Sequence, residues 1–392
     1  MNRKNAARGS GSPPVVGMVG AGQLARMTSA AATGLGIRFR VLAAAADESA
    51  AQVTGDVMVG DHGSRADLLA FAADCDVVTF DHEHVAGPLI NAMEQAGYAV
   101  RPGSQALRYT QSKQAMRERL TALGYRCPRF APVAGSDDVA RFAAQAGWPV
   151  VLKAVSGGYD GRGVWVCKDP TEAAEVLEHG LELIAEELVQ FDRELAVLAA
   201  RSPSGQGAVY PVVETIQRDG ICREVVAPAP DLHPATAAQA QRLALQISRD
   251  LGVFGLLAVE LFDTPDGLLI NELAMRPHNS GHWTIEGART SQFEQHLRAV
   301  LNLPLGSPAP TARWAVMVNM LGGDDPDIWT RLTHVMAGDP AVKVQLYGKQ
   351  VRPGRKIGHV TALGRDLDGV RERARRAASY LAYGIEDAGE YT

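Results

Sequence analysis

Residues 15–19 form a short apolar run between Pro13-Pro14 and a glycine-rich turn, which reads as a strand; residues 23–33 carry apolar positions at helical spacing. The strand pattern returns at 38–44, 56–59 and 76–80. Residues 85–96 read as a helix and 98–100 as a fifth strand. Strands alternating with helices predict a doubly wound parallel sheet over residues 15–105.

From Ser104 the pattern changes. Residues 112–123 read as a charged amphipathic helix, 136–146 as another, and 148–154 as an apolar strand that ends in Lys153-Ala154. Further strands are expected at 164–167, 183–189 and 194–200, and a helix at 236–251. Apolar runs at 255–263 and 268–273 flank Thr264-Pro-Asp-Gly267, a strong hairpin signal. Residues 305–310 read as a linker, and 311–392 as a small mixed domain of strands with one charged helix at 367–382. The expected divisions are a flexible tail at 1–14, an N-terminal domain at 15–105, a central domain at 106–304 and a C-terminal domain at 311–392.

At 392 residues, the chain suits two or three domains of roughly 100–200 residues each. With 46% hydrophobic and 21% charged residues, wholesale disorder is excluded. Thirty-nine basic against 44 acidic side chains give a net charge of −5, which argues against a coat for nucleic acid or anionic membrane. No apolar run reaches the ~18 residues of a membrane span. The start lacks the apolar core of a secretory signal. Cys75, Cys127, Cys167 and Cys222 are scattered, which fits a reducing cytoplasm and forms neither a disulfide framework nor a zinc motif.

Gly20-Ala-Gly-Gln-Leu-Ala25 follows a strand and opens a helix, so its backbone N–H groups can face an anion. A dinucleotide would need an acid at the end of the second strand. The first acid there, Asp47, lies beyond it, so the phosphate of another ligand is favoured, with tight strand–helix packing as the purely structural alternative. Lys153 closes an apolar strand just before Gly157-Gly-Tyr-Asp-Gly-Arg-Gly163. A lysine at such a place must snorkel or meet an anion, and four glycines in seven residues can fold over phosphates. No Walker A sequence is present.

Glu260 and Glu272 lie on the two hairpin strands. Their positions average to 266, the middle of Pro265-Asp-Gly267, so an unbulged ladder would set them opposite each other. Opposed like charges are destabilising; a divalent cation between them resolves the conflict, and oxygen ligands, Asn271 included, point to Mg²⁺ or Mn²⁺. Arg276-Pro-His-Asn-Ser-Gly-His282 is a polar loop just past that strand, a place where ligand-reading groups collect. In Asp81-His-Glu-His84 the two histidines make a poor zinc site without a third ligand. Glu83, at the carboxyl end of the fourth strand, is the stronger candidate there. Arg355 and Lys356 lie at the start of a probable strand.

A doubly wound first domain, a lysine-ended strand with a glycine loop and a paired Glu/Glu-Asn site resemble the ATP-grasp superfamily. GAGQLARM (20–27), GGYDGRG (157–163), NELAMRPHNSGHW (271–283) and RPGRKIGH (352–359) are similar to the ATP-dependent 5-(carboxyamino)imidazole ribonucleotide synthases of purine biosynthesis. The resemblance spans about residues 15–360. It implies an ATP-grasp central domain with a mobile lid at about 130–190. It also implies a cytoplasmic homodimer using ATP, Mg²⁺ or Mn²⁺, and bicarbonate to carboxylate the exocyclic amine of 5-aminoimidazole ribonucleotide through carboxyphosphate. Neither nucleic acid nor membrane is an expected partner. By motif, Arg108, Lys153, Gly158, Gly161, Glu186, Glu187, Leu188, Val189, Glu194, Gln217, Asn271 and Glu272 would bind ATP. Glu260 and Glu272 would hold the metal. Gly22, Gln23, Leu24, Glu83, Asn279, Ser280, Arg355 and Lys356 would bind the ribonucleotide. Tyr159, Asp160, Arg162, Arg276 and His278 would surround bicarbonate and the amine. The rival readings are another ATP-grasp ligase, such as a formate-dependent glycinamide ribonucleotide transformylase or a biotin-carboxylase-like enzyme, and, from another class, a nicotinamide oxidoreductase.

Overall fold

The computed structural model describes residues 11–158 and 161–385. The first sheet is parallel, in the order β3-β2-β1-β4, formed by β1 (Val15–Val19), β2 (Arg38–Ala43), β3 (Asp56–Val59) and β4 (Val77–Phe80). Its helices are α1 (Gln23–Gly34), α2 (Arg65–Ala73) and α3 (Gly87–Gln95). The expected fifth strand at 98–100 is reduced to a single bridge between Val78 and Val100. The chain touches the sheet there through two hydrogen bonds, Val78 N–H to the Ala99 carbonyl at 2.8 Å and Arg101 N–H to the Val78 carbonyl at 2.9 Å, before it turns at Arg101-Pro102.

Two short helices follow, α4 (Ser104–Gln111) and α5 (Lys113–Ala122), the latter capped by Ser112 Oγ, which accepts from Ala115 N–H at 3.2 Å. Next comes an antiparallel sheet in the order β5-β8-β6-β7, made of β5 (Phe130–Val133), β6 (Val150–Ala154), β7 (Val164–Cys167) and β8 (Leu183–Glu187). Helices α6 (Ser136–Ala146) and α7 (Pro170–Leu177) cover one face through Val139, Phe142, Ala173 and Val176.

The third sheet has nine strands. It holds β9 (Arg193–Arg201), β10 (Gly207–Val209), β11 (Val213–Arg218), β12 (Ile221–Ala227), β13 (Gly255–Thr264) and β14 (Gly267–Ala274). It continues without a break into β15 (Trp314–Leu321), β16 (Lys343–Leu346) and β17 (Lys356–Gly364) through the β12–β15 ladder. Helices α8 (Pro234–Asp250), α9 (Thr284–Gly287), α10 (Gln292–Val300), α11 (Ile328–Gly338) and α12 (Leu367–Tyr383) pack around it. The segment expected as a linker is stitched down: Gln295 Nε2 donates to Gly306 C=O at 2.8 Å, and Gly306 N–H donates to Gln295 Oε1 at 2.7 Å.

The β13–β14 hairpin differs from expectation in a way that matters for the site. The turn is two residues, Pro265-Asp266, with Thr264 paired to Gly267. Carried back unbroken, that register would set Leu261 against Ile270 and Glu260 against Asn271. A bulge intervenes, and Glu260 pairs with Glu272 instead. The opposition of the two carboxylates therefore depends on the bulge rather than on its absence. A bulge also sets two consecutive residues against one partner and re-aims a side chain, which explains how Asn271 and Glu272, neighbours in sequence, both line one cavity.

Candidate active site

A cavity of about 820 Å³ lies between the β5–β8 sheet, the β13–β14 hairpin and the start of β17. Of the residues expected to act, Glu83, Lys153, Gly158, Gly161, Glu186, Glu187, Leu188, Val189, Glu194, Gln217, Glu260, Asn271, Glu272, Arg276, His278, Asn279, Ser280 and Lys356 line it. Tyr159 and Asp160 lie outside the described residues. Arg108, Arg162 and Arg355 are exposed and do not line it. Arg108 stacks over the Tyr109 ring at 5.2 Å, and Arg355 Nη1 donates to the Gln350 carbonyl at 3.4 Å.

Gly22, Gln23 and Leu24 are also absent from the cavity wall. The anion that faces this turn is a side chain: Asp81 accepts from Gly22 N–H at 2.6 Å and from Ala25 N–H at 2.9 Å. Gly22 is required for that approach, since a Cβ there would stand 2.4 Å from Asp81 Oδ2. The expected ligand phosphate at these N–H groups is thus corrected to an internal carboxylate, which also removes the structural basis for a dinucleotide. Leu24 is buried with Met27, Phe293 and Tyr347, while Gln23 Oε1 accepts from Lys349 Nζ.

At the nucleotide-facing end, Lys153 Nζ lies 2.7 Å from Glu186 Oε2 and 3.3 Å from Asn271 Oδ1. Burial lowers the Lys153 pKa, and the Arg117 charge adds to the lowering, against the opposing pull of Glu186. Burial alone would raise Glu186; the charges of Arg117 and Lys153 bring it down to about 2. Glu186 is therefore an anion held between two cations. Arg117 is fully buried, its Nε 2.6 Å from Glu186 Oε1, and its two terminal nitrogens donate to the Ile270 and Asn271 carbonyls at 3.0 and 2.7 Å. Those carbonyls flank the bulge, so Arg117 braces the irregular backbone that would otherwise carry unpaired acceptors.

At the acidic end, burial and the neighbouring Glu272 push the Glu260 pKa up to about 7. Lys113 Nζ is 2.6 Å from Glu272 Oε1. His278 Nε2 is 3.5 Å from Glu260 Oε1. Ser280 Oγ lies 2.8 Å from His278 Nδ1, and Ser280 N–H also points there. These donors leave the imidazole proton on Nε2, facing the carboxylate. Burial, Arg276 and Lys356 hold the His278 pKa down to about 3, so the ring is a neutral N–H donor. Glu83 accepts from Met275 N–H at 2.9 Å and lies 3.8 Å from Arg276 Nε, tying the first sheet to the end of β14.

Glu260, Glu272 and Asn271 offer only oxygen donors, the chemistry of a hard divalent cation. Among the described residues no group of three or more His, Cys, Asp or Glu assembles as a closed metal site. Two carboxylates with further oxygens from a bound phosphate is the usual arrangement for Mg²⁺.

Sequence reasoning gave no site role to Lys113, Arg117 or Lys349. Lys113 and Arg117 are cations four apart on α5, beside buried Met116 and Leu120. Helical neighbours at that spacing share a face, so a buried cationic face was readable there. It also missed the stacked Phe191–Phe262 pair, with centroids 4.7 Å apart at the cavity wall.

A lysine paired with a buried glutamate on one sheet, facing a carboxylate pair on another, is the arrangement of an ATP-grasp protein. An ATP-grasp domain family matches residues 118–293, a ribonucleotide synthetase preATP-grasp domain matches 14–111, and a phosphoribosylaminoimidazole carboxylase C-terminal domain matches 315–373. The chain belongs to the N5-carboxyaminoimidazole ribonucleotide synthase family. It is 53% identical to the family member of Mycobacterium tuberculosis, over 95% of this chain and 88% of that one. It is 47% identical to that of Corynebacterium ammoniagenes, over 94% and 92%. Among solved structures, the Thermus thermophilus synthetase superposes with a TM-score of 0.85 at 38% identity, over 94% of this chain and 98% of that one. The Aspergillus clavatus enzyme, in complex with ADP and 5-aminoimidazole ribonucleotide, gives 0.87 at 31% identity, over 94% and 98%.

Proposed function

We propose that this protein uses ATP and bicarbonate to carboxylate the exocyclic amine of 5-aminoimidazole ribonucleotide, releasing ADP and phosphate. The observation that carries the reading is the bulged hairpin, which brings Glu260, Asn271 and Glu272 into the cavity that also holds Lys153 and the Arg276–His278 loop. The names and ligands of the relatives support the same reading.

Bicarbonate oxygen attacks the γ-phosphorus, ADP leaves, and carboxyphosphate forms. Its breakdown gives CO₂ beside the amine and phosphate to take the amine proton. This chemistry asks for charge neutralisation more than covalent help. Lys153, held by Glu186, sits where it can meet ATP phosphates. Glu186–Val189 and Glu194 would hold the nucleoside. Glu260 and Glu272 would hold Mg²⁺, which when bound offsets the negative charge of the phosphates. Arg276 and the His278 N–H would meet bicarbonate or the amine, and Tyr159, Asp160 and Arg162 of the glycine loop would serve the same two groups. Glu83, Asn279 and Lys356 would contact the ribonucleotide. We further propose a cytoplasmic homodimer, and division at 15–105, 106–304 and 311–392 with the lid at about 130–190.

The test is an assay with labelled bicarbonate. Label should enter the ribonucleotide with one ADP per product. ADP formation at full rate without the ribonucleotide would overturn the reading, and transfer from formate to glycinamide ribonucleotide would support the rival ligase instead. Light scattering after gel filtration checks the dimer.

A further inference from the structure

Gln292 is the first residue of α10, fully buried, and does not line the cavity. Its amide nevertheless grips a cavity residue. Oε1 accepts from His278 N–H at 2.9 Å, and Nε2 donates to His278 C=O at 2.8 Å. The remaining N–H of Nε2 points to His282 Nδ1 at 2.9 Å. An amide has two donors and one carbonyl oxygen, and here each meets a partner. Because His278 N–H can only donate and its carbonyl can only accept, the orientation of the amide is fixed.

His278 is extended, with φ −124° and ψ 152°. A side chain that pairs with both backbone groups of an extended residue acts on it as a neighbouring strand would. The clamp is itself held. Gln292 N–H donates to Thr284 Oγ1 at 2.8 Å, and Thr284 Oγ1 donates to Gly281 C=O at 2.6 Å. Gly281 keeps the space clear, since a Cβ there would stand 2.5 Å from Gln292 Oε1. The far end of the amide rests on His282, which is fully buried and stacked on His359 with centroids 5.1 Å apart. Burial holds both rings well below the ordinary histidine range. His282 therefore presents a neutral acceptor at Nδ1 to the amide.

We propose that Gln292 is a positioning residue, which sets the His278 imidazole N–H against Glu260 by fixing the His278 backbone from the side away from the cavity. The effect on turnover rests on the reaction proposed above; the geometric claim does not. Loss of an outer partner of a metal-ligating residue typically costs about 10–100-fold, and the loss of the clamp on a site histidine is expected on the same scale.

The test uses the full chain. Gln292→Met keeps length and removes all three hydrogen bonds. It should lower kcat about 10–100-fold and leave the ATP KM within about twofold, because the lysine–glutamate end of the cavity is untouched. Gln292→Glu, protonated in this buried place, can still accept from His278 N–H and donate to its carbonyl, and should recover most of the loss. Should Gln292→Met fail to fold, Gln292→Asn, one methylene too short to span both groups, carries the same test. A folded variant without the clamp that turns over at the wild-type rate overturns the proposal. So does a rise in ATP KM as large as the fall in kcat, which would mark general loosening. If wild-type protein makes no carboxylated ribonucleotide, the proposed reaction has failed. The geometric claim is then decided by a crystal structure of the variant. His278 Nε2 displaced from Glu260 beyond the present 3.5 Å supports it, and an unmoved ring overturns it.

Discussion

Glu260 stands directly opposite Glu272, and it does so only because the β13–β14 ladder slips by one residue between Glu260 and Leu261. Opposed carboxylates cost stability, and here the cost is contained by Lys113 on Glu272 and by a raised pKa on Glu260. Removing one carboxylate should relieve the protein while disabling it. Glu272→Ala is expected to keep the fold and to reduce ATP turnover by about 10²–10³-fold, the scale of losing one electrostatic contributor to a transition state. Steady-state kinetics together with circular dichroism check this. Unchanged turnover would show that the hairpin pair holds no catalytic cation.

The same pair predicts how stability follows pH. The Glu260 carboxyl titrates at about 7 in the folded protein, against an ordinary 4.5. Between those values the folded protein keeps a proton that the unfolded chain has released, so stability falls as pH rises through this window. In the absence of divalent cations the Tm should decline from about pH 5 to about pH 7, and Glu260→Gln should flatten that component. Thermal scans across pH, with and without Mg²⁺, provide the measurement. An identical decline in the variant would place the titration elsewhere.

Arg117 and Glu186 make the opposite case. Glu186 is held down to about 2, so its contribution is present above the ordinary carboxyl value and is lost as pH falls from about 4.5 toward 2. Breaking a buried pair strands the remaining charge, at about 3–5 kcal/mol. Arg117→Met also strips the Ile270 and Asn271 carbonyls of their donors. Denaturant unfolding should therefore show a loss of about 3 kcal/mol or more. A loss under about 1 kcal/mol, the scale of an exposed ion pair, would contradict the bracing role.

Asp81 caps α1 from 59 residues away. Asp81→Ala should cost about 1–2 kcal/mol, as the loss of a helix cap does. With that carboxylate resident at the turn, NADH should give no saturable fluorescence titration. Saturable binding to the wild type would overturn the assignment of Asp81 as the anion of this turn.

Much of the framework was legible because its signals are local. Residues 136–146 form the expected helix, and residues 15–19, 56–59 and 164–167 the expected strands. Lys153, Glu260 and Glu272 were readable because a charge inside an apolar strand has few structural excuses. The spacing of Lys113 and Arg117 on α5 is local, but their partners are long-range. Lys113 meets a partner 159 residues away and Arg117 one 69 residues away. Asp81 fills the turn that a G-x-G-x-x-A pattern would offer to a ligand, and no local spacing announces an internal anion. The bulge was hidden for a related reason. Either a three-residue loop with a regular ladder or a two-residue turn with a slipped one places Glu260 opposite Glu272, and the correct pairing was reached from the wrong turn.

The nine-stranded sheet has a bearing on how the chain can be cut. Strand β15 lies along β12 from Ala315 to Val318, and Arg371 and Arg375 of α12 both close on the buried Glu224 of β12. The chain from β15 onward, three of the nine strands, is therefore the far third of a single beam, and not a cap set on a finished enzyme. Sawing the chain near Pro310 would bare the β12 edge and turn an internal seam into an adhesive one. It would also remove Lys356 from the cavity wall. A fragment that ends where the ATP-grasp match ends would thus be missing part of its own floor.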